Sequence, residues 1–272
     1  MGEVGSWRSP RRLALLALGV ATVIFLVGPM LVVIPMSFTG AKILSWPPEG
    51  FSLQWYDKML TDPQWSRGFL NSMQVATLTA VVSTILGTLA ALGIVRGRFP
   101  GKGLANALIL SPLIVPVIII AIGFFAFYSI VRLTGSLPGL VLSHTALAVP
   151  FVVINVGTVL RTMDRNLELA AASLGADPVR TFWRVTFPIV LPGVVAGALF
   201  AFITSWDEVV VSIFMTSTRF RTLPVEMWEQ VRQVVDPTVA AVATVVMIVT
   251  TTVLQFVFVA RRQAPVRRWT CR

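Results

Sequence analysis

The sequence has one cysteine, Cys271, and one histidine, His144, among its 272 residues. A single thiol cannot form a disulfide within the chain, and one histidine cannot build a multi-histidine or cysteine-rich metal site. His144 lies in an apolar stretch, where a packed ring with one hydrogen-bond partner is expected. The sequence therefore predicts no metal site and no catalytic constellation, and we expect a protein that is not an enzyme.

Charged residues are scarce as well. They make up 12% of the chain, against 56% hydrophobic residues, whereas about a quarter of the residues in a soluble globular domain are charged. The net charge of +10 would suit nucleic acid, but the basic residues fall between apolar runs and form no soluble basic face. The composition predicts a polytopic membrane protein in contact with lipid, with no nucleic-acid partner.

Long apolar runs predict six transmembrane helices, because each run reaches the roughly 20 apolar residues that a helix needs to cross a bilayer. The runs lie at about 13–36, 69–95, 104–131, 140–160, 190–216 and 239–260. Pro112 and Pro116 predict a kink in the third. Most Lys and Arg residues fall in the connections on the same side as the termini, which places both termini in the cytoplasm. Residues 1–272 are thus predicted to form one all-α transmembrane domain.

A phosphate-binding loop is missing. The segment GRFPGKG at 97–103 is similar to one, but Arg96 stands where the first glycine belongs and Gly103 stands where Ser or Thr must reach magnesium. No strand is expected before it. We therefore expect a short basic turn, and neither ATP nor magnesium bound by this chain.

Residues 161–189 interrupt the apolar runs with an amphipathic cytoplasmic segment. Gly175 suits the left-handed end of a first helix, and Asp177 suits the cap of a second helix that begins at Pro178. The second helix is expected to end before Pro188, and Pro192 to open the next span. Small and apolar residues recur at helical spacing on one face of the first helix: Leu167, Ala170, Ala171 and Leu174.

Two interpretations of this helix–turn–helix compete. Arg180, Trp183 and Arg184 would suit a pair of helices lying on the membrane surface. A rigid turn with a small-residue face instead suits docking to a soluble partner, because a lipid-facing helix is expected to carry larger apolar residues. The small residues favour docking.

The segment resembles the signature loop of permease subunits of bacterial binding-protein-dependent ABC importers, E-A-A-x3-G-x9-I-x-L-P. The matching residues are Leu169-Ala170-Ala171, Gly175 and Val185-Thr186-Phe187-Pro188. The departure is Leu169 in place of the glutamate, with Glu168 displaced by one position. A polar contact that the family makes through that glutamate is therefore in question here.

This resemblance implies an all-α, six-helix, type I ABC importer permease fold in the bacterial inner membrane. It implies that the loop 161–189 is a coupling helix that docks on a separate ATPase subunit, which carries the ATP and magnesium. The implied docking residues are Leu167, Glu168, Leu169, Ala170, Ala171, Leu174, Gly175, Ala176 and Asp177. The implied partners are a second permease subunit, expected to complete a heterodimer with a homodimer left open, two ATP-binding subunits and a solute-binding protein outside.

Asp207 and Glu208 are acids within an apolar span, where a carboxylate is costly. One interpretation is that both reach outer water or bond Arg219 or Arg221. The other is an anionic station, with Trp206 beside it, on the path of a cationic solute. The surrounding sequence resembles the spermidine/putrescine branch of these permeases, and related branches carry opines, phosphonates or ferric iron.

Two other classes stay open from the sequence. An ion-coupled secondary carrier would need ionisable residues near the middle of the membrane, and the spans have few. A scaffold for a membrane complex would need only the amphipathic loop.

Overall fold

The computed structural model describes residues 10–233 and 236–263, with side chains described for 13–233 and 236–252. The described residues are mostly helical and contain no strand, which confirms the all-α prediction. A 3₁₀ turn, Ser111–Leu113, follows the fourth α-helix, and a π-helical turn, Phe182–Thr186, joins the eighth to the ninth. In chain order the α-helices are α1 (Pro10–Met36), α2 (Gln54–Thr61), α3 (Pro63–Arg96), α4 (Lys102–Leu110), α5 (Val117–Ile130), α6 (Leu137–Thr162), α7 (Asn166–Ser173), α8 (Pro178–Thr181), α9 (Phe187–Trp206), α10 (Val210–Met215), α11 (Leu223–Gln233) and α12 (Thr238–Gln263).

The described residues divide into two compact units. In the first, α12 contacts both α1 and α2. Lys58 of α2 pairs with Asp236, which also accepts hydrogen bonds from the backbone N–H and the hydroxyl of Thr238 at the start of α12. No residue in the most apolar window of α1 is buried. That helix therefore presents apolar side chains on all sides, as a span in contact with lipid or another subunit does.

The second unit runs from 64 to 228 and is built on the pairing of α6 with α9. Gly193 and Gly197 let the two backbones approach closely, since a Cβ on Gly197 would lie 2.9 Å from the Cα of Val152. Val152 and Val156 are fully buried in the core that results. A larger residue at either glycine would force the helices apart.

Within the described residues, four helical segments are long and apolar enough to cross a membrane. They are Leu13–Met36, Pro63–Arg96, Leu137–Thr162 and Pro178–Trp206. They contain the first, second and fourth predicted spans and the first part of the fifth. The sixth, 239–260, lies within α12, of which the apolar part with described side chains is Thr238–Thr252.

The third predicted span, 104–131, is broken more sharply than a kink. The segments Lys102–Leu113 and Val117–Ile130 meet at 101°. Pro116 lies directly ahead of α5 and its ring has no N–H to continue the preceding helix. The pair is either one broken span or a re-entrant loop, so the described residues hold four or five spans by length and composition.

The fifth span differs from the prediction at both ends. The second arm of the cytoplasmic segment does not end before Pro188, and Pro192 does not open the span but lies inside α9. Phe187 N–H donates to the carbonyl of Phe182, five residues back, so a π turn directly ahead of Pro188 carries the helix through. At the outer end α9 stops at Trp206 and the chain restarts as α10.

Candidate functional site

The cytoplasmic helix–turn–helix forms as predicted up to its second arm. Gly175 follows α7 with φ +81°, and Ala176 N–H donates to the Ala171 carbonyl 3.1 Å away. The side chain of Asp177 then caps α8 by accepting from Arg180 N–H at 2.8 Å. Chiefly because of this hydrogen bond, the pKa of the Asp177 carboxyl lies below its usual value. The turn geometry, the cap and the start at Pro178 are confirmed.

The loop turns large apolar side chains toward solvent. Leu174, at the tip beside Gly175, is 89% exposed, and Leu167 and Leu169 are about half exposed. Ala170 is exposed and Ala171 is partly buried. The apolar face predicted from the spacing is therefore largely an outer face. Apolar residues that stay exposed together commonly mark an interaction surface.

Glu168 lies on the opposite side of α7 and turns back toward its own chain. Its Oε2 atom is 3.1 Å from Nε of Arg96, the last residue of α3. The Arg96 N–H is not aimed at the oxygen, so this contact is an ion pair and not a directed hydrogen bond. The other oxygen, Oε1, accepts from the Thr186 hydroxyl at 2.9 Å. One carboxylate thus ties α7 to the end of α3 and to the π turn.

These contacts surround an open cavity of about 460 Å³ beneath the loop. Ala172 and Ala176 line it from the loop, and Leu92 and Arg96 line it from α3. Two small residues of the loop, Ala172 and Ala176, therefore lie beside this cavity and the ion pair. Sequence reasoning missed Arg96 and Thr186, because a pattern within the loop carries no information on the distant residues it meets.

The acids of the fifth span lie at the break between α9 and α10. Glu208 caps α10, since its two oxygens accept from the backbone N–H groups of Val211 and Ser212, both at 3.0 Å. Its side chain is 8% exposed. Asp207 ends α9 and is exposed. The adjacent acids are thus directed differently, and Glu208 already has backbone partners.

The structure gives His144 more than the single partner expected of it. Its Nδ1 lies 2.8 Å from the Ser205 hydroxyl of α9, and its Nε2 lies 3.1 Å from the Ser212 hydroxyl of α10. Nε2 is also 3.8 Å from Glu208 Oε2. The buried ring therefore joins both sides of the break to α6. The sequence signal for this was the pair of serines flanking the acids, which the prediction did not use.

Trp206 and Arg221, which lie near the break, contact residues other than Asp207 and Glu208. The Trp206 ring meets Phe69 edge to face and stacks on Phe202. Arg221 lies 3.6 Å from Glu226. In the described part of the chain no ion pair joins Asp207 or Glu208 to an arginine. Of the three residues predicted for the path, Asp207 is the one with an exposed charge.

Comparison with known proteins finds relatives that cover most of this chain. Residues 83–264 match the family described as the binding-protein-dependent transport system inner membrane component. The putrescine transport system permease protein PotI of Escherichia coli (strain K12) is 32% identical over 248 residues, which cover 88% of this chain and 86% of that protein. The spermidine/putrescine transport system permease protein PotC of Haemophilus influenzae is 30% identical over 221 residues, covering 81% and 85%.

A third relative has another solute in its name, and a solved structure shares the fold. The molybdenum transport system permease protein ModB of Mycobacterium bovis is 31% identical over 206 residues, covering 70% of this chain and 77% of that protein. A chain from the crystal structure of a bacterial ABC transporter that imports the acidic polysaccharide alginate aligns with a TM-score of 0.72. The alignment covers 97% of this chain and all of that one at 16% identity, so the likeness is one of fold.

Proposed function

Because this chain belongs to the family of inner membrane components of binding-protein-dependent transport systems, we propose that it forms half of the path of a polyamine importer. It is a multi-pass protein of the inner membrane and the permease subunit of an ABC importer. The relatives named for putrescine and spermidine support a polyamine as the solute. The exposed carboxylate of Asp207 supports a cationic solute as well.

The loop 161–189 is the docking site of a separate ATP-hydrolysing subunit in this proposal. The observation that carries it is the exposed apolar tip at Leu174, held by the left-handed turn at Gly175 and the cap at Asp177. An apolar tip of this kind is costly in water and is covered when a partner binds. Of the predicted docking residues, Glu168 also links the loop to its own chain through Arg96 and Thr186.

The complete importer then has four kinds of component. A second permease subunit, forming a heterodimer with this one, encloses the path, two ATP-binding subunits hold ATP and magnesium on the cytoplasmic side, and a solute-binding protein delivers the polyamine outside. ATP binding closes the two motor subunits, their docked loops move together, and the path opens outward. Hydrolysis returns it to the inward-facing state.

The tie between Glu168 and Arg96 gives the first prediction. We expect Arg96→Gln to leave the ATPase subunit bound, since the exposed tip is unchanged, but to weaken the link that passes loop motion to α3. Solute imported per ATP hydrolysed should fall roughly three- to tenfold, because a partly buried ion pair of this kind contributes about 1 kcal/mol. The measurement is uptake and ATP hydrolysis in the same reconstituted vesicles.

Arg98→Gln is the matched control, because Arg98 lies in the same basic connection and is exposed. It should leave the ratio of uptake to hydrolysis unchanged. The reversed pair, Arg96→Glu with Glu168→Arg, should recover part of the loss. An unchanged ratio in Arg96→Gln would show that the contact does not carry the motion.

Oxyanions such as molybdate are the competing solute class, because one relative is named for molybdenum. An exposed carboxylate at Asp207 disfavours them, since it repels an anion that passes close to it. Opines, phosphonates and ferric iron stay as alternatives within the same transporter class. Uptake of labelled putrescine, spermidine and molybdate, measured in the same reconstituted vesicles, distinguishes a polyamine from an oxyanion as the solute.

Reconstitution tests the transporter class itself and gives the second prediction. The purified chain alone in liposomes should move no polyamine under a proton or sodium gradient. Adding the second permease subunit, the ATPase subunits, the binding protein and ATP should start uptake. Gradient-driven uptake by the chain alone would instead identify an ion-coupled secondary carrier.

A further inference from the structure

A second cavity, of about 420 Å³, lies between α3, α4 and α6 at the end of the unit that carries the inner connections. Its walls are apolar toward the membrane interior, where Leu110, Val153 and Ile154 line it. Arg161 lines it about 10 Å further along α6 than Ile154, at 1.5 Å per residue, and Asn106 lines it from α4. The cavity is therefore apolar toward the membrane interior and cationic at its cytoplasmic end.

The polar groups of this cavity are available to a ligand. Within the described part of the chain, neither the Arg161 guanidinium nor the Asn106 amide has a hydrogen-bond or ion-pair partner. The hydroxyls of Thr158 and Thr162 donate to carbonyls of their own helix. The residues that line the cavity include no acid. An unpaired cation, Arg161, and an unpaired amide donor, Asn106, therefore lie together at the cytoplasmic mouth of the cavity.

We propose that this cavity binds an anionic phospholipid, with its phosphate on Arg161 and Asn106 and an acyl chain along the apolar wall. The choice of ligand rests on two features of the cavity together, its apolar wall and its guanidinium. A small hydrated anion gains nothing from the apolar wall, and a neutral hydrocarbon gains nothing from the guanidinium. Basic pockets between transmembrane helices on the cytoplasmic side suit phospholipid headgroups.

The headgroup contact is a charge-assisted hydrogen bond at the membrane interface, and an arginine fork fits two phosphate oxygens at once. Arg161 stands at the end of α6, where a cation is also favoured by the helix carbonyls. A bound lipid would fill the space between α4 and α6 without adding a protein contact. This site is separate from the loop cavity beside Arg96 and does not depend on which solute is carried.

The test is native mass spectrometry of the assembled transporter in mild detergent, with phosphatidylglycerol as the probe and phosphatidylethanolamine as the neutral comparison. The wild type should retain one phosphatidylglycerol per copy of this chain. Arg161→Gln should reduce retention about tenfold, as loss of a charge-assisted contact predicts. Arg165→Gln is the matched control, because Arg165 lies four residues on, is exposed and does not line the cavity.

Equal retention in Arg161→Gln and the wild type would overturn the proposal, and so would equal losses in Arg161→Gln and Arg165→Gln, which would indicate general surface charge. Ile154→Trp fills the apolar wall and spares the mouth. This variant should remove the lipid. The cavity would be assigned to another occupant if inorganic phosphate displaced the lipid from the wild type. The same would follow if Asn106→Cys cross-linked to a second permease subunit. If a variant fails to assemble, thermal stabilisation of the delipidated wild type by phosphatidylglycerol and not by phosphatidylethanolamine supports the site, and its absence overturns it.

Discussion

Gly175→Arg is expected to reduce solute uptake to background while the chain still inserts in the membrane. Gly175 holds φ +81° at the tip of the loop, a conformation that costs an arginine roughly 1–2 kcal/mol. A Cβ at this position meets nothing within 4 Å, so the new side chain projects outward, into the surface proposed to dock the ATPase subunit. The measurement is co-purification of the ATPase subunit with tagged chain, alongside uptake.

Gly101→Arg is the matched control for backbone strain. Gly101 also has positive φ, +78°, and open space around its Cβ, but it lies in the basic turn ahead of α4. It should keep the ATPase subunit bound. Undiminished co-purification and uptake in Gly175→Arg would remove the docking role from the loop.

Asp207→Asn is expected to slow polyamine uptake about 5- to 30-fold with normal assembly. A unit pair at 4 Å is worth about 4 kcal/mol at an effective dielectric of 20, before desolvation is subtracted. A net effect of about 1–2 kcal/mol corresponds to that range of rates. Asn has nearly the same shape as Asp, so packing at the end of α9 should be preserved. The measurement is the initial rate of labelled putrescine uptake at equal expression.

Glu208→Gln serves as the comparison, because Glu208 is buried and both its oxygens hold backbone N–H groups of α10. An amide has one acceptor oxygen, so one of these N–H groups would face a donor. We expect a lower melting temperature and a smaller effect on uptake per folded molecule. Wild-type uptake in the double variant would remove the electrostatic reason for a cationic solute.

The parts of the fold that the sequence predicts well are those set by local chemistry. Apolar runs predict the first, second and fourth spans, and the spacing of Gly175, Asp177 and Pro178 predicts the cytoplasmic turn. In each case the deciding interactions lie within a few residues of the chain. A left-handed glycine or a capping carboxylate needs no distant partner, so sequence alone suffices.

The misses come from helices whose ends are decided by contacts elsewhere. Proline usually marks a helix boundary, which made Pro188 and Pro192 misleading. The break after Trp206 contains neither glycine nor proline. It is stabilised by the cap of Glu208 and by a histidine far away in the chain. A local pattern predicts a continuous span there because its apolar composition does not change.

The same limit applies to the functional residues. The loop pattern predicts which residues form the docking segment, but it does not predict which side of α7 turns inward. Glu168 is assigned to docking from its neighbours, and only its meeting with Arg96 and Thr186 shows that it joins the loop to its own chain. Whether Leu169, at the position of the family's glutamate, contacts the ATPase subunit stays a prediction.

The π turn at Phe182–Thr186 fixes the rotational phase of the loop relative to α9. An α-helix advances about 100° per residue, so removing one residue from this turn would restore regular helical bonding and rotate the preceding helices by about that angle. Glu168 would then leave Thr186, and the exposed face that carries Leu174 would turn by the same angle. The extra residue thus sets the rotational angle at which any movement of the loop would reach α9.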